Sequence, residues 1–375
     1  MPDHERLVLS LFTGAGGLDL GFERQGFSHI EAVDIDPWSV ATVQKNRPSW
    51  GIVEADAREY QAPSDIQPDV LLAGFPCQGF SLGGNRDESD GRNTLYKEVV
   101  RVAKASRPRI ILIENVLNLR TMRDPSTGKP FATQIAEAIE RIGYEVRYDV
   151  FRVANYSTPQ TRRRFVFVGF RDGAPKGYHF PNPSDPTPIR PFVYELGQRG
   201  EDFQLPNHDP QWGFKSQVHV ETAEPFDRAE EVVPVRFSRT ASDGFPVRSF
   251  DVPFPAIDTA TIWGWAQGNV RAERRSKDRV NGKFIRNPKA TVTLWRIEAS
   301  RLRGFTEREY ARLQTFPDDW EFVGNNKRSV HKQIGNAVPV NFAEHFATNI
   351  KAALSSMERG APFEDPGPNG NLRLF

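Results

Sequence analysis

An α/β fold, with a mostly parallel sheet, an antiparallel edge and a smaller second domain, is what this 375-residue chain predicts. Three observations carry that expectation. Short apolar runs alternate with helix-like stretches through the first half, as in strands joined by right-handed crossovers. A glycine-rich turn follows the first run. After residue 170 a proline-rich segment leads into about a hundred residues of different character.

Leu7–Phe12, His29–Ile35, Gly51–Ala57, Asp69–Phe75 and Arg109–Val116 are the apolar runs that predict buried strands. Pro37–Arg47 and Thr94–Ser106 between them predict helices, with Leu95, Val99 and Val102 on one face of the second. Phe131, Ile135, Ala138, Ile139 and Ile142 mark another helix, stopped by Gly143. Tyr144–Val153 and Arg163–Phe170 follow with no helix between them, which predicts an antiparallel pair at the sheet edge. The stretch Arg171–Pro191 holds six prolines and is expected to act as a linker or hinge. Helical patterning returns at Thr306–Phe316 and after Pro339, and Gly360–Phe375 is expected to be a loose tail.

Composition narrows the function classes. With 38% hydrophobic and 26% charged residues, a sizeable core is available. No apolar run approaches the roughly 20 residues of a membrane span, and the N-terminal MPDHERLVLSLF does not resemble a secretory signal. The single cysteine allows no internal disulfide and fits a reducing compartment. No C-x-x-C or H-x-x-x-H cluster is present, so no metal is expected. The net charge of +1 hides an uneven distribution: Arg271 to Arg303 carries eleven Lys/Arg against three Asp/Glu. Such a patch suits phosphates, although basic stretches are more often solvated faces.

Four local signals carry chemistry. In Phe12-Thr-Gly14-Ala-Gly16-Gly17-Leu18, between the first strand and a helix, glycines let backbone amides approach a ligand. Asp34, at the end of the second strand, and Asp56, near the end of the third, make an adenosine-containing ligand more probable than an ordinary turn; at this point NAD stays open. The only cysteine, Cys77, stands in Gly74-Phe75-Pro76-Cys77-Gln78-Gly79-Phe80-Ser81, on the ligand side of an open sheet. A lone cysteine is often a small buried hydrophobe, but here a thiolate nucleophile is the stronger reading. Glu114-Asn115-Val116 ends the neighbouring strand, where an acid can hold or deliver a proton. In Gln160-Thr-Arg162-Arg-Arg164-Phe165, two arginines at i and i+2 share one strand face; a charged edge that blocks aggregation is the bland alternative.

Together these blocks resemble the DNA (cytosine-5) methyltransferase family, of the bacterial restriction-modification type. Arg308-Glu309-x-x-Arg312-Leu313-Gln314-x-Phe316-Pro317 and Gln333-Ile-Gly335-Asn336-Ala-Val338-Pro339 complete the order of its motifs near the C-terminus. The resemblance spans residues 6–170 and about 300–350. It implies a Rossmann-like S-adenosylmethionine-dependent methyltransferase sheet and a DNA (cytosine-5-)-methyltransferase activity. Cys77 is then the nucleophile, Glu114 contacts N3 of a flipped cytosine, and Arg164 contacts O2, with Arg162 beside it. Phe12, Gly14, Gly16, Gly17, Leu18, Asp34, Ile35, Asp56, Phe75, Asn336 and Val338 are implied to surround S-adenosyl-L-methionine. Two departures stand out: the second-strand acid, often Glu in the family, is Asp34, and Asp56 is followed by Ala-Arg rather than the more usual Ile.

The expected organisation is a catalytic and cofactor-binding domain over 1–185, completed by about 301–357, a target-recognition domain over 186–300, and a flexible tail over 358–375. Double-stranded DNA is the expected partner. Gln78, Ser81, Arg271, Arg274, Arg275 and Arg279 are its candidate contacts, and Gly79–Arg92 a candidate lid. Trp263 and Trp265 are placed in the core ahead of any DNA role. The reading is of a monomeric, cytoplasmic bacterial enzyme, with a separately acting cognate restriction endonuclease allowed but not required. Three rivals are weaker. A zinc deaminase needs a second cysteine where Phe80 stands, a tRNA-methylating relative carries a further cysteine motif, and a non-catalytic DNA-binding relative would not need Cys77, Glu114 and Arg164 together.

Overall fold

The computed structural model describes residues 5–76, 94–124, 127–199, 204–213, 221–222, 232–237, 248–259, 262–268, 270–280 and 283–367. Its centre is a seven-stranded sheet of β1 (Arg6–Leu11), β2 (Phe27–Asp34), β3 (Ile52–Glu54), β4 (Val70–Ala73), β5 (Ile110–Val116), β6 (Glu145–Arg152) and β7 (Arg163–Phe170). The order is β3-β2-β1-β4-β5-β7-β6. Strands β1 to β5 pair in parallel, while β7 runs antiparallel to both β5 and β6. The expected edge pair is therefore present, with the later strand inserted inside the earlier one. The third strand is shorter than its apolar run suggested.

Strands β1, β4 and β5 are nearly continuous apolar runs because helices cover both of their faces. One face packs against α3 (Tyr96–Ser106) and α4 (Phe131–Glu140), around Val99, Ile135 and Phe167. The other packs against α1 (Gly17–Glu23) and a long helix from the far end of the chain, α8 (Val340–Arg359). Gly21 permits that contact: a Cβ there would lie 2.5 Å from Cβ of Ala343. Strand order reverses between β1 and β4, which opens a crevice outside their carboxyl ends, where sheets of this kind hold ligands. Helix α2 (Pro37–Asn46) follows β2 and is capped by the Asp36 carboxylate, which accepts from the Trp38 and Ser39 amides.

The second half adds α5 (Arg190–Arg199), β8 (Glu221–Thr222), β9 (Val232–Phe237), β10 (Ile262–Gln267), β11 (Val270–Val280), β12 (Lys283–Arg296) and β13 (Leu302–Gly304). Strands β13, β10 and β9 form one three-stranded sheet, and β11, β12 and β8 another. Helices α6 (Glu307–Leu313) and α7 (Lys327–Asn336) then lead into α8. Thr306 and Glu309 close a reciprocal capping box on α6. Trp263 and Trp265 are buried, as expected, in a cluster with Phe192, Trp50, Phe316 and Trp320. Gly197 is required beneath the second of them, since a Cβ would lie 2.4 Å from the Trp265 ring.

Two expectations are corrected. The proline-rich stretch is not a free hinge: Ser184 and Thr187 donate their amides to the carbonyls of Asn155 and Ala154, and Tyr178 packs edge-on against Phe170. Prolines lock an extended path, and aromatic rings between them pin it to the sheet. The tail is not loose from residue 358, because α8 continues to Arg359 and the Phe363 amide bonds the Lys176 carbonyl while its ring meets Tyr178. Residues 368–375 lie outside the described residues.

Candidate active site

The site is assembled at the crevice from the ends of β1, β2, β4 and β5 and the start of β7. The first loop is held by its own backbone. Phe12, Gly14 and Gly16 all have positive φ, at 58°, 57° and 82°. Thr13 donates its amide to the Val33 carbonyl at 3.1 Å and accepts the Val33 amide on its hydroxyl at 3.2 Å, which locks β1 to β2 at the turn. No atom lies within 4 Å of a Cβ built on Gly14, so this backbone faces open space.

Asp34 organises the loop. Its two carboxylate oxygens accept the amides of Gly14 at 2.7 Å and Asp36 at 2.8 Å. Burial lifts this carboxyl above the ordinary range, against the opposite pull of those amides. A carboxylate has about four lone-pair sites, so two remain for hydroxyl donors. Ile35, the next residue, is 62% exposed, a large apolar side chain uncovered at the rim. Asp56 lies two residues beyond β3, where it accepts the Arg58 amide at 2.9 Å and pairs with the Arg58 guanidinium.

Phe75 is buried after β4, edge-on to Phe12 with centroids 6.2 Å apart. Asn115, at the end of β5, donates to the Phe75 carbonyl at 3.2 Å and fixes the loop that leads into Cys77. The C-terminal part closes the crevice from the other side. Leu18 and Val338 share one core cluster, and a Cβ on Gly17 would stand 2.1 Å from the Val338 carbonyl oxygen. Asn336 is exposed at the end of α7. Earlier in that helix, Lys332 reaches Asp36 at 2.9 Å, which ties α7 to the turn after Asp34.

Beside this cradle lies a buried charge pair. Arg164, the second residue of β7, lies opposite Val116, and its Nε meets the Glu114 carboxylate. Burial pushes the Glu114 carboxyl up, and the guanidinium opposes that rise without cancelling it. A Cβ on Gly74 would be 3.9 Å from Glu114 Oε2 and 4.0 Å from the Phe12 carbonyl, so this glycine marks where the cradle and the charged pair approach each other. The arrangement offers a proton-holding acid and a fixed cation next to a loop that can receive a ligand carrying a ribose.

Arg162 differs from its expectation. It precedes β7, is buried, and directs its guanidinium onto the carbonyls of Gly335 at 2.8 Å and Ile257 at 3.3 Å. The i and i+2 spacing predicted a shared strand face; the strand starts one residue too late for that. Cys77, Gln78, Ser81 and the expected lid lie outside the described residues. Arg271, Arg274, Arg275 and Arg279 all fall on β11, paired with Trp295, Val292, Thr291 and Phe284 of β12. Their strand is thus described, well separated in sequence from the cradle. Sequence reasoning missed Asn115, Gln314 and Lys332 as site-building residues; the first two stood inside quoted motifs, but nothing local announced their partners.

A profile described as C-5 cytosine-specific DNA methylase matches residues 7–352. The chain is 31% identical over 366 residues to the type II methyltransferase M.PspPI of Psychrobacter sp. (strain TA137), covering 96% of this chain and 82% of that protein. It is 33% identical over 357 residues to the type II methyltransferase M.Eco47II of Escherichia coli, covering 94% and 80%. Among solved structures, the S. pombe Dnmt2 methyltransferase shares the fold with a TM-score of 0.56 at 16% identity, over 93% of this chain and 99% of that one.

Proposed function

The chain belongs to the C-5 cytosine-specific DNA methylase family, and from that premise we propose how its own residues carry methyl transfer to carbon 5 of cytosine in DNA. S-adenosyl-L-methionine is the methyl donor. Its binding is supported by the open Gly14 backbone, by the remaining acceptor capacity of Asp34 toward ribose hydroxyls, and by the exposed Ile35 beside them. Phe12, Gly16, Gly17, Leu18, Phe75 and Val338 shape the cradle, with Asp56 and Asn336 at its rim. When bound, the sulfonium supplies an electrophilic methyl group.

Carbon 5 of cytosine is a poor nucleophile. The Cys77 thiolate adds to carbon 6, and the ring becomes an enamine that can take the methyl group. Glu114, its carboxyl raised by burial, presents a proton to N3 as charge develops there. Arg164 holds that acid in place, and a contact from its guanidinium to the base carbonyl would orient the ring. Loss of the C5 proton to a water acting as base and elimination of the Cys77 thiolate then release 5-methylcytosine, with S-adenosylhomocysteine as the other product. A base inside the stack cannot reach these groups, so it rotates out of the duplex at a cost of a few kcal/mol.

The observation that carries this reading is the buried Glu114–Arg164 pair beside the loop that runs directly into Cys77. Residues 186–300 are the part that reads the DNA, with Arg271, Arg274, Arg275 and Arg279 supplying phosphate or guanine contacts, and Gln78 and Ser81 are further candidate DNA contacts. Residues 1–185 and 301–357 bind cofactor and carry the chemistry. The physiological role is that of a modification enzyme in a restriction-modification system, a role supported by the type II methyltransferases among its relatives. The test is covalent capture. DNA carrying 5-fluorocytosine at the target should trap the wild-type enzyme through Cys77 in the presence of S-adenosylmethionine, and Cys77→Ser should give neither adduct nor turnover. An adduct whose peptide map leaves Cys77 unmodified overturns the assignment.

A further inference from the structure

Three buried side chains around the entrance to β7 have no part in the chemistry above. Gln160 is fully buried; its Nε2 donates to the Leu313 carbonyl at 2.6 Å and to Gln314 Oε1 at 2.8 Å, while its Oε1 accepts the Ile257 amide at 3.3 Å. Gln314, equally buried, donates to the carbonyls of Ile334 at 2.6 Å and Ala337 at 3.4 Å. Arg162 donates to the Gly335 carbonyl between them. Buried polar groups are retained only where their partners are supplied: Gln314 and Arg162 take the carbonyls of Ile334, Gly335 and Ala337 at the turn that ends α7, and Gln160 braces Gln314 and the Leu313 carbonyl behind it.

That turn joins α7 to α8. It carries Asn336 on its rim and delivers the Val338 carbonyl against Gly17 of the glycine loop. It has little freedom elsewhere, because a Cβ on Gly335 would already stand 3.0 Å from the Asp258 backbone. Gln160 and Arg162 themselves stand in the segment that continues into Arg164 and its contact with Glu114, while Gln314 joins them from the end of α6. One polar bracket therefore grips both the wall of the cofactor cradle and the root of the strand that faces the base.

We propose that Gln160, Arg162 and Gln314 are positioning residues that fix the α7–α8 turn and the β7 entrance as one rigid unit, so that cofactor affinity and base capture depend on the same three side chains. The inference rests on the site reading above. Arg162 acts here through main-chain carbonyls, not by touching substrate. Because Arg and Gln donors reach carbonyl oxygens of different residues, removing one donor leaves a buried acceptor unpaired and loosens the turn as a whole.

The experiment compares Arg162→Met, Arg162→Lys and Gln314→Met with the wild-type enzyme. Cofactor affinity is read by calorimetry without DNA, and base capture by the rate of 5-fluorocytosine adduct formation at saturating S-adenosylmethionine. Arg162→Met and Gln314→Met should each weaken cofactor binding about tenfold and slow capture together with it. Arg162→Lys, which keeps a donor for Gly335, should recover part of both losses. Should Arg162→Met fail to fold, Arg162→Lys and Gln314→Met decide the question by the same two readouts. Slower capture with unchanged cofactor affinity would make Arg162 a substrate contact and overturn the proposal. So would a lower melting temperature with both readouts unchanged. A failure of the underlying site reading is distinguishable, because wild-type enzyme would then bind no S-adenosylmethionine or form no adduct.

Discussion

Arg164 lays its guanidinium against the Glu114 carboxylate across the antiparallel junction of β5 and β7, with both side chains about nine-tenths buried. The two effects on Glu114 oppose each other: desolvation favours the neutral acid and the guanidinium favours the anion. Desolvation is the larger, so the folded chain holds this proton more tightly than the unfolded chain does. Stability linked to Glu114 is therefore full below the ordinary carboxylate range and declines as pH rises toward the folded pKa.

That sign gives the first prediction. If protonated Glu114 serves N3, kcat/KM should fall as pH rises through the raised pKa. Glu114→Gln keeps a hydrogen-bond donor but cannot transfer a proton, so it should lose roughly 10²–10⁴-fold in turnover and also lose that limb of the profile. A pH–rate profile identical in shape for wild type and variant would remove Glu114 from proton transfer.

Asp34 is tested through affinity. Asp34→Ala removes both the proposed ribose acceptor and the anchor of the Gly14 amide. S-adenosylmethionine binding should weaken by about 1.5–3 kcal/mol, read by calorimetry. NADH should show no binding to either protein. Unchanged affinity in the variant would place the ribose elsewhere.

Gly17→Ala probes the closure of the cradle by the C-terminal part. The added methyl would stand 2.1 Å from the Val338 oxygen and 3.2 Å from the Phe316 ring, so either α1 or the following turn must move. Overpacking of this kind costs about 1–3 kcal/mol. Thermal unfolding should reveal the loss, and cofactor affinity should drop with it. A variant that melts with wild type would show that these segments are not in such close contact in solution.

Sequence reading by residues 186–300 is tested through salt and by exchange. Replacing an arginine of β11 that contacts phosphate should weaken binding to all sequences and reduce the salt slope by about one. Replacing a guanine reader should instead relax one position of the site. Grafting 186–300 onto another family member gives the decisive result. A chimera that is active yet keeps its host's methylation site would locate recognition elsewhere.

Much of the cradle was legible because its signals are local. A strand that ends in Phe12 and turns on Gly14 and Gly16 is written in adjacent residues, as is the succession from Gly74 to Cys77 or from Glu114 to Asn115. The alternation that orders β1 to β5 depends only on short periods and on turn chemistry. Element type therefore followed from neighbours along the chain, and so did the position of most proposed cofactor residues.

What lay outside that reach involves long separations or geometry that a period cannot express. Arg162 shares its motif with Arg164, but β7 begins between them, and a carbonyl 173 residues away draws its guanidinium off the expected face. Strand β10 carries no readable alternation because it is shaped for close approach: a Cβ at Gly264 would lie 2.3 Å from both the Arg303 carbonyl and the Phe237 ring. Prolines in 171–191 suggested a linker or hinge, and that this path instead lies on the sheet was settled by where Tyr178 and Phe363 find a common cluster. The sequence by itself determined which residues could do chemistry, since reactivity belongs to side-chain type and local turn. Only the tertiary structure decided which of them meet, because burial and pairing arise from contacts between segments hundreds of residues apart, such as Gly17 with Val338 and Gly21 with Ala343.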